Sequence, residues 1–175
     1  NLEEMIYVKS KAFTNPETVV LKIGMSPLIY TKFTALLINS YKAQNSKHEI
    51  LLVEENLSVL EEKLKKNDLD IILIPVVRKK SNKNSIRLYE EDLFYIDNGE
   101  NIRSNVPISD IRHKTFVMVP DSCGLSEITR SLLRTTRTEI NEYEGKALSY
   151  QVLADWASNG LGSAILPRSK IAPKI

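Results

Sequence analysis

Residues 145–167 combine a helical repeat, a Gly-x-Gly corner and a short apolar run that ends at a proline. Leu148, Val152 and Trp156 recur every four residues, which is the spacing of one face of a helix. Gly160 can adopt the left-handed conformation that ends such a helix. The Ser-Ala-Ile-Leu run that follows is too short for a second helix, so it predicts a buried strand that the next proline ends. This segment is therefore the second half of a parallel β-α-β unit, and the rest of the chain must supply the other strands.

The preceding sequence predicts two β-α-β-α-β units in succession. The run from Asp70 to Pro75 is apolar in consecutive positions, as expected of a parallel strand that is covered on both faces. Ser26 is expected to cap the helix after the first strand, with Pro27 at its first position, and Asn56 is expected to cap the next helix. The six expected strands are 19–25, 50–53, 70–75, 115–119, 139–143 and 163–166. The expected helices are 27–43, a helix that begins after Asn56, 125–137 and a helix that ends at Gly160, together with a single helical turn at 108–111.

The composition is that of an ordinary globular chain. Of its 175 residues, 42% are hydrophobic and 26% are charged, and no apolar run is long enough to span a membrane. The net charge of +2 gives no strong signal for nucleic-acid binding. Cys123 is the only cysteine, which excludes an internal disulfide framework and fits a reducing compartment.

Four short motifs follow one another along the chain. Leu21–Gly24 reads Leu-Lys-Ile-Gly, and Lys63–Leu73 contains the run Asn-Asp-Leu-Asp-Ile-Ile-Leu. Leu88–Leu93 reads Leu-Tyr-Glu-Glu-Asp-Leu, and Gly160–Pro167 reads Gly-Leu-Gly-Ser-Ala-Ile-Leu-Pro. In order and spacing, the motifs resemble the first strand, the l..g.lDlai signature, the pLyeE.l crossover and the closing strand of the effector-binding domain of LysR-type transcriptional regulators. The resemblance covers nearly the whole chain.

The resemblance implies an α/β, two-lobed, periplasmic-binding-protein-like fold, in which each lobe is a β-α-β-α-β unit and two crossovers join the lobes. Residues 1–18 would be the end of a linker helix, 19–91 lobe 1, 92–164 lobe 2, and 165–175 a truncated return crossover towards lobe 1. The family's winged helix would precede this sequence, so DNA contact is expected only through that missing N-terminal domain. The resemblance also implies a cytoplasmic homodimer, a tetramer in the full-length protein, and no membrane partner.

The candidate effector site lies at two corners where a strand leads into a helix. In open α/β sheets, ligands bind beyond the carboxyl ends of the strands, and free N–H groups at a helix N-terminus favour an anion. Ser26 and Ser122 could instead only cap their helices. The resemblance favours a small-molecule effector, because these corners line the family's cleft between its lobes. The expected contacts are Ser26, Pro27, Asn56, Leu57 and Pro75 in lobe 1, and Asp121, Ser122, Cys123, Gly124 and Tyr150 in lobe 2.

A second apolar face on the first predicted helix indicates a subunit interface. Leu28, Ala35 and Ile38 lie on this face, beside the stripe that covers the sheet. The family pairs this helix head to tail with the lobe 2 helix of a partner, which closes a two-fold dimer. Arg130 and Arg134 belong to a basic stripe on that lobe 2 helix, which is either a solvated face or a partner contact.

Three alternatives to an effector domain stay open. A solute-binding receptor has the same fold and would follow a signal peptide instead of a winged helix. A redox-sensing regulator would use Cys123, but the family's peroxide-sensing branch uses a second, resolving cysteine that this sequence lacks. An enzyme could pair Cys123 with His113, yet nothing in the sequence orients the histidine. His48 and His113 have no second ligand at metal spacing, so we expect no metal, no cofactor and no catalysis.

Overall fold

A computed structural model of the protein describes residues 19–76, 84–99, 103–134 and 139–171. The chain divides into two units, Asn1–Pro75 (unit 1) and Val76–Ile175 (unit 2). The predicted end of a linker helix at 1–18 lies outside the described residues, and the predicted lobe boundaries stay predictions. No helix in the described part of the chain is both long and apolar enough to cross a membrane.

Unit 1 alternates strands and helices along the chain. Its elements are β1 (Val20–Met25), α1 (Thr31–Gln44), β2 (Glu49–Glu54), α2 (Leu57–Lys65) and β3 (Ile71–Leu73). The strands form one parallel sheet in the order β2-β1-β3, with Ile23 in register with Leu52 on one side and Ile71 on the other. Parallel neighbours need a crossover connection, which the two helices provide. The first predicted β-α-β-α-β unit is therefore confirmed.

Gly24 allows α2 to pack directly on the sheet of unit 1. A Cβ atom at this position would lie 2.5 Å from Cδ2 of Leu60 and 2.6 Å from Cδ1 of Leu69. Both leucines are buried. Because side chains alternate along a strand, the neighbours of Gly24 point to the opposite face. That face carries a second buried cluster, formed by Ile23, Met25, Ile29 and Leu73.

The first helix begins later than the sequence predicts, at Thr31 instead of Pro27. The Oγ of Ser26 accepts a hydrogen bond from the N–H of Leu28 at 3.3 Å, and the N–H of Ile29 donates to the Ser26 carbonyl at 2.9 Å. This turn buries two apolar side chains, and their burial outweighs the local capping signal. Leu28 is only 3% exposed, so its predicted place on a partner-facing surface is wrong.

Unit 2 repeats the alternation after one additional strand. Its elements are β4 (Leu93–Ile96), α3 (Ile108–Ile111), β5 (Thr115–Met118), α4 (Leu125–Leu133), β6 (Asn141–Lys146), α5 (Tyr150–Ser158) and β7 (Ala164–Pro167). β5 pairs with β6 in parallel, and β7 pairs with β4 in antiparallel orientation. The N–H of Val117 donates to the carbonyl of Ser163 at 2.9 Å, so the chain entering β7 also pairs with β5 in parallel. The second predicted unit is thereby confirmed.

The corner at Gly160 forms as the sequence predicts. Gly160 has a φ of 84°, a left-handed conformation that glycine adopts without strain. Its N–H donates to the carbonyl of Ala157 at 3.1 Å, and the N–H of Leu161 donates to the carbonyl of Trp156 at 3.1 Å. These two bonds form a Schellman motif, which satisfies carbonyls at the end of α5.

The predicted apolar face of α5 is wrong at its start. The helix begins at Tyr150, after Ser149, whose Oγ accepts a hydrogen bond from the N–H of Val152 at 3.2 Å. Leu148 therefore precedes the helix and is 86% exposed. The buried face instead carries Leu153 and, one turn later, an alanine. The cap position of Ser149 sets this register, because its side chain satisfies an N–H of the first turn.

Candidate effector-binding corners

In unit 2, the corner between β5 and α4 leaves the N-terminus of α4 without a side-chain cap. A 3-10 turn spans Asp121–Cys123, and Gly124 then occupies the N-cap position with a φ of 79°. Among the described residues, no side chain forms a cap hydrogen bond to α4, so Ser122 does not cap this helix. A Cβ atom at Gly124 would meet nothing within 4 Å. The first N–H groups of α4 also have no acceptor within the helix.

Ser126 anchors the first turn of α4 to the end of β5. Its Oγ donates to the carbonyl of Val119 at 2.6 Å, and the residue is buried. A buried hydroxyl requires such a partner, and this bond fixes the direction of the helix N-terminus relative to the strand. Sequence reasoning missed Ser126, because a serine inside the first turn of a helix gives no signal for a backbone acceptor on the preceding strand.

Arg130 connects the unit 2 corner to β6 through two carboxylates. Its Nε and Nη2 donate to the two carboxylate oxygens of Glu142 at 2.5 and 2.9 Å, in the two-pronged geometry that makes arginine pairs strong. Its Nη1 donates to Oδ1 of Asp121 at 2.9 Å. Lys146 donates to the same Glu142 carboxylate at 2.9 Å. The four side chains, two cationic and two anionic, form one electrically balanced network.

These contacts shift the pKa values of Glu142 and Arg130 in opposite directions. The hydrogen bonds from Arg130, and to a smaller degree the one from Lys146, lower the pKa of Glu142 to about 2 against the opposing effect of burial. The hydrogen bonds that Arg130 donates to Glu142 raise the pKa of Arg130. Both groups are therefore charged at neutral pH. The guanidinium of Arg130 is paired within its own chain, and its predicted contact with a partner stays a prediction, as does that of the exposed Arg134. The predicted end of α4, at residue 137, lies outside the described residues.

Unit 1 presents two helix N-termini of the same kind. α1 has Tyr30 at its N-cap and α2 has Asn56, and within the described part of the chain neither helix has a side-chain cap hydrogen bond. Asn56 thus occupies the predicted cap position without capping through its side chain. Ser26 is buried, and its N–H donates to the carbonyl of Leu73 at 2.9 Å, which ties this corner to the end of β3.

Of the remaining predicted contacts, Pro27 precedes α1, Leu57 opens α2, Pro75 follows β3 and Tyr150 opens α5. Pro27, Leu57 and Pro75 are half-buried in unit 1. Tyr150 is half-buried at the first position of α5, and the Nζ of Lys170 lies 6.0 Å from the centroid of its ring. Because α5 has its own serine cap, the Tyr150 corner differs from the N-termini of α1, α2 and α4.

Cys123 lies half-buried in the 3-10 turn, and its N–H donates to the carbonyl of Pro120 at 3.0 Å. His113 is exposed, and the Nδ1 of His48 lies 2.7 Å from the hydroxyl of Tyr41. Within residues 19–76, 84–99, 103–134 and 139–171, no group of three His, Cys, Asp or Glu side chains is placed to hold a metal ion.

Two successive α/β units, in each of which the first parallel strand pairs with the next parallel strand along the chain, have the architecture of periplasmic-binding-protein-like domains. In open α/β sheets of this kind, ligands bind beyond the carboxyl ends of the strands. The chain belongs to the LysR substrate binding domain family, whose family model matches residues 15–175. The resemblance to LysR-type effector-binding domains, which the four sequence motifs indicated, is confirmed.

Known proteins of similar sequence or fold include regulators from several bacteria. The chain is 24% identical over 164 residues to YybE, an uncharacterised HTH-type transcriptional regulator of Bacillus subtilis. That match covers 91% of this chain and 56% of YybE, so the chain spans about half the length of the curated relative. A mutant of Corynebacterium glutamicum OxyR superposes with a TM-score of 0.69 at 20% identity, over 95% of this chain and 52% of that one. The Synechocystis CcmR regulatory domain in complex with 2-PG superposes with a TM-score of 0.62 at 15% identity, over 91% and 76% of the two chains. At such identities, the structural likeness shows the fold alone.

Proposed function

We propose that this chain is the effector-sensing domain of a LysR-type transcriptional regulator, in which a small anionic molecule alters transcription through a separate winged-helix domain. The family match over residues 15–175 supports the regulatory role. The inference that the ligand is an anion depends on one observation, the N-terminus of α4. There Gly124 occupies the N-cap position and no described side chain caps the helix. A helix N-terminus of this kind favours an anion.

The chemistry of the unit 2 corner suits a carboxylate or a phosphate. The first N–H groups of α4 have no acceptor within the helix, and Ser122 is exposed in the turn before it. A carboxylate that accepts from such donors gains about 1.5–3 kcal/mol per charged hydrogen bond. The corresponding donors of unit 1 are the N-termini that follow Ser26 and Asn56. The position of the effector between the lobes stays a prediction of the family resemblance.

The bound effector acts on transcription only if it prefers one of two conformations of the protein, because equal affinity for both shifts nothing. We place this switch in a cytoplasmic homodimer, with a tetramer in the full-length regulator and DNA contact through the winged-helix domain. The family consists of transcriptional regulator domains and is not a known enzyme family. No catalytic step and no cofactor is part of the proposal.

A redox-sensing regulator is the second candidate, because the chain has the fold of OxyR, which is known in reduced and oxidised forms. Cys123 is the only cysteine of this sequence, so no second cysteine within it can form a disulfide with Cys123. We expect Cys123→Ser to keep the response of the full-length regulator to its metabolite. A variant that keeps this response but no longer responds to oxidants would establish the redox alternative.

The test begins with a thermal-shift screen of small carboxylates and phosphorylated metabolites, because a ligand of the folded state raises its stability. Titration calorimetry with the resulting ligand then compares Ser122→Ala with the parent. We expect binding to weaken by about 0.5–1.5 kcal/mol, the usual net value of one hydrogen bond. The melting temperature without ligand should stay nearly unchanged, because Ser122 caps no helix.

Ser109→Ala is the matched control, since Ser109 is an exposed serine on α3 of the same unit. Its affinity should equal that of the parent. Equal affinities in all three proteins, or a screen in which only uncharged compounds raise the melting temperature, would contradict the proposed site.

A further inference from the structure

Two carboxylates flank the uncapped N-terminus of α4, namely Asp121 before it and Glu127 in its first turn, and Asp121 is the one that Arg130 contacts. Asp121 opens the 3-10 turn, and its side chain is 71% exposed. Its carbonyl accepts a hydrogen bond from the N–H of Gly124 at 3.2 Å, so the backbone of the residue is part of the corner. A free carboxylate here would repel an anion or would itself turn to the N–H groups of α4, because a helix N-terminus attracts negative charge.

Arg130 is placed to prevent both outcomes. Its Nη1 holds Oδ1 of Asp121 at 2.9 Å, while its Nε and Nη2 are occupied by Glu142. Glu142 fixes the plane of the guanidinium, and Lys146 donates to the same Glu142 carboxylate, so Arg130 is not the only cation that balances its charge. The positive charge of Arg130 is therefore shared between Glu142 and Asp121.

We infer that Arg130 is a positioning residue of the effector corner, which draws the Asp121 carboxylate aside and so keeps the N-terminus of α4 receptive to an anion. This inference rests on the proposed function for the existence of an anionic ligand. Arg130 itself touches Asp121 and not the ligand. Its loss should weaken anion binding only for as long as the negative charge of Asp121 is present.

The test uses inorganic sulfate as the probe and follows the backbone amide signals of Leu125, Ser126 and Glu127 by nitrogen-15 nuclear magnetic resonance. We compare the parent with Arg130→Met, Asp121→Asn and the double variant Arg130→Met/Asp121→Asn. Lys146→Met is the matched control, because it removes a cation of the same network that does not contact Asp121. Methionine keeps much of the aliphatic stem of either cation.

Arg130→Met should bind sulfate roughly fivefold more weakly, the factor that corresponds to about 1 kcal/mol of interaction at a helix N-terminus. The double variant should recover the parent affinity, and Lys146→Met should match the parent. Asp121→Asn alone should bind at least as tightly as the parent. This single variant leaves the Arg130–Glu142 pair intact, so it tests the inference even if Arg130→Met does not fold.

The outcomes separate this inference from the proposed function. Parent-like binding by Arg130→Met, a double variant as weak as Arg130→Met, or weaker binding by Asp121→Asn would overturn the positioning role while the corner still binds sulfate. Absence of sulfate-dependent shifts at Leu125, Ser126 and Glu127 in the parent would overturn the anion site itself, and the positioning role with it.

Discussion

The hydroxyl of Tyr95 lies 2.8 Å from the Oγ of Ser163, a residue 68 positions later in the chain. Tyr95 belongs to β4, and Ser163 leads into β7, so this contact joins two strands beside their antiparallel ladder. The ring of Tyr95 also stands edge-on to Phe116 of β5, with the ring centroids 6.3 Å apart. Burial raises the pKa of the Tyr95 hydroxyl.

Removal of this hydroxyl should destabilise the protein. Tyr95→Phe keeps the ring on Phe116 but leaves the buried Oγ of Ser163 without its partner. We expect a loss of about 1–2 kcal/mol in the free energy of unfolding, measured by urea denaturation. Tyr143→Phe is the control, because within the described residues Tyr143 contacts Trp156 through its ring alone. Equal losses in the two variants would show that the Tyr95 hydroxyl contributes nothing specific.

The Arg130–Glu142 pair should make stability depend on acid pH. The pKa of Glu142 falls from 4.5 to about 2 in the folded protein, so its ionised form stabilises the fold above about pH 4.5. That contribution is lost as the pH falls from about 4.5 towards 2. Because Glu142 is 27% exposed, solvent screens the pair, and we expect Glu142→Gln to cost about 1–2 kcal/mol at neutral pH.

Urea unfolding at several pH values between about 2 and 7 measures this dependence. The difference between Glu142→Gln and the parent should shrink as the solution is acidified. Glu144→Gln on the same strand is the control, since Glu144 is exposed and forms no ion pair in the described part of the chain. A difference that stays constant down to the lowest pH would contradict the assigned role of the Glu142 charge.

A methyl group at position 24 should disturb the contact between the unit 1 sheet and α2. Gly24→Ala places a Cβ atom 2.5 Å from a methyl of Leu60, and overpacking of this kind costs about 1–3 kcal/mol. Leu60→Val, which shortens the opposing side chain, should cost less in the Gly24→Ala background than in the parent. Thermal unfolding of the four proteins measures this coupling, and strictly additive losses would show that the two positions do not meet.

The predicted homodimer depends on the outer face of α1. Ala35 is exposed and Ile38 is half-buried in the single chain, so both are available to a partner. Ala35→Glu or Ile38→Glu should produce monomers in sedimentation velocity, because a carboxylate would have to be buried unpaired at the interface. Ser40→Glu adds the same charge to another exposed position of α1 and should leave the dimer intact. Dimers in all three variants would place the interface elsewhere.

Local signals in the sequence predict the structure correctly where the conformation that they favour also buries the right side chains. At Gly160 the residue that can end a helix is also the residue that leads into a buried strand, and the corner forms as predicted. At Ser26-Pro27 the local signal predicts a helix start, but the buried positions of Leu28 and Ile29 require a turn instead. The error at the start of α1 therefore has a tertiary cause.

The Asp121–Arg130–Glu142 network was not predictable from spacing. Arg130 contacts one residue 9 positions before it and one 12 positions after it, and neither separation brings side chains together within one helix. The contacts exist because β5 and β6 pair in parallel and bring Glu142 beside α4. The sequence therefore identifies Arg130 only as one member of a basic stripe, whereas the fold assigns its partners.

Hydrogen exchange measured by mass spectrometry, with and without the effector found by the thermal-shift screen, tests the central claim most directly. A ligand that accepts hydrogen bonds from uncapped helix N-termini slows the exchange of those N–H groups. The largest protection should appear in peptides covering residues 121–128, followed by those covering the N-termini of α1 and α2. Protection confined to other segments, with exchange at 121–128 unchanged, would contradict the proposed effector site.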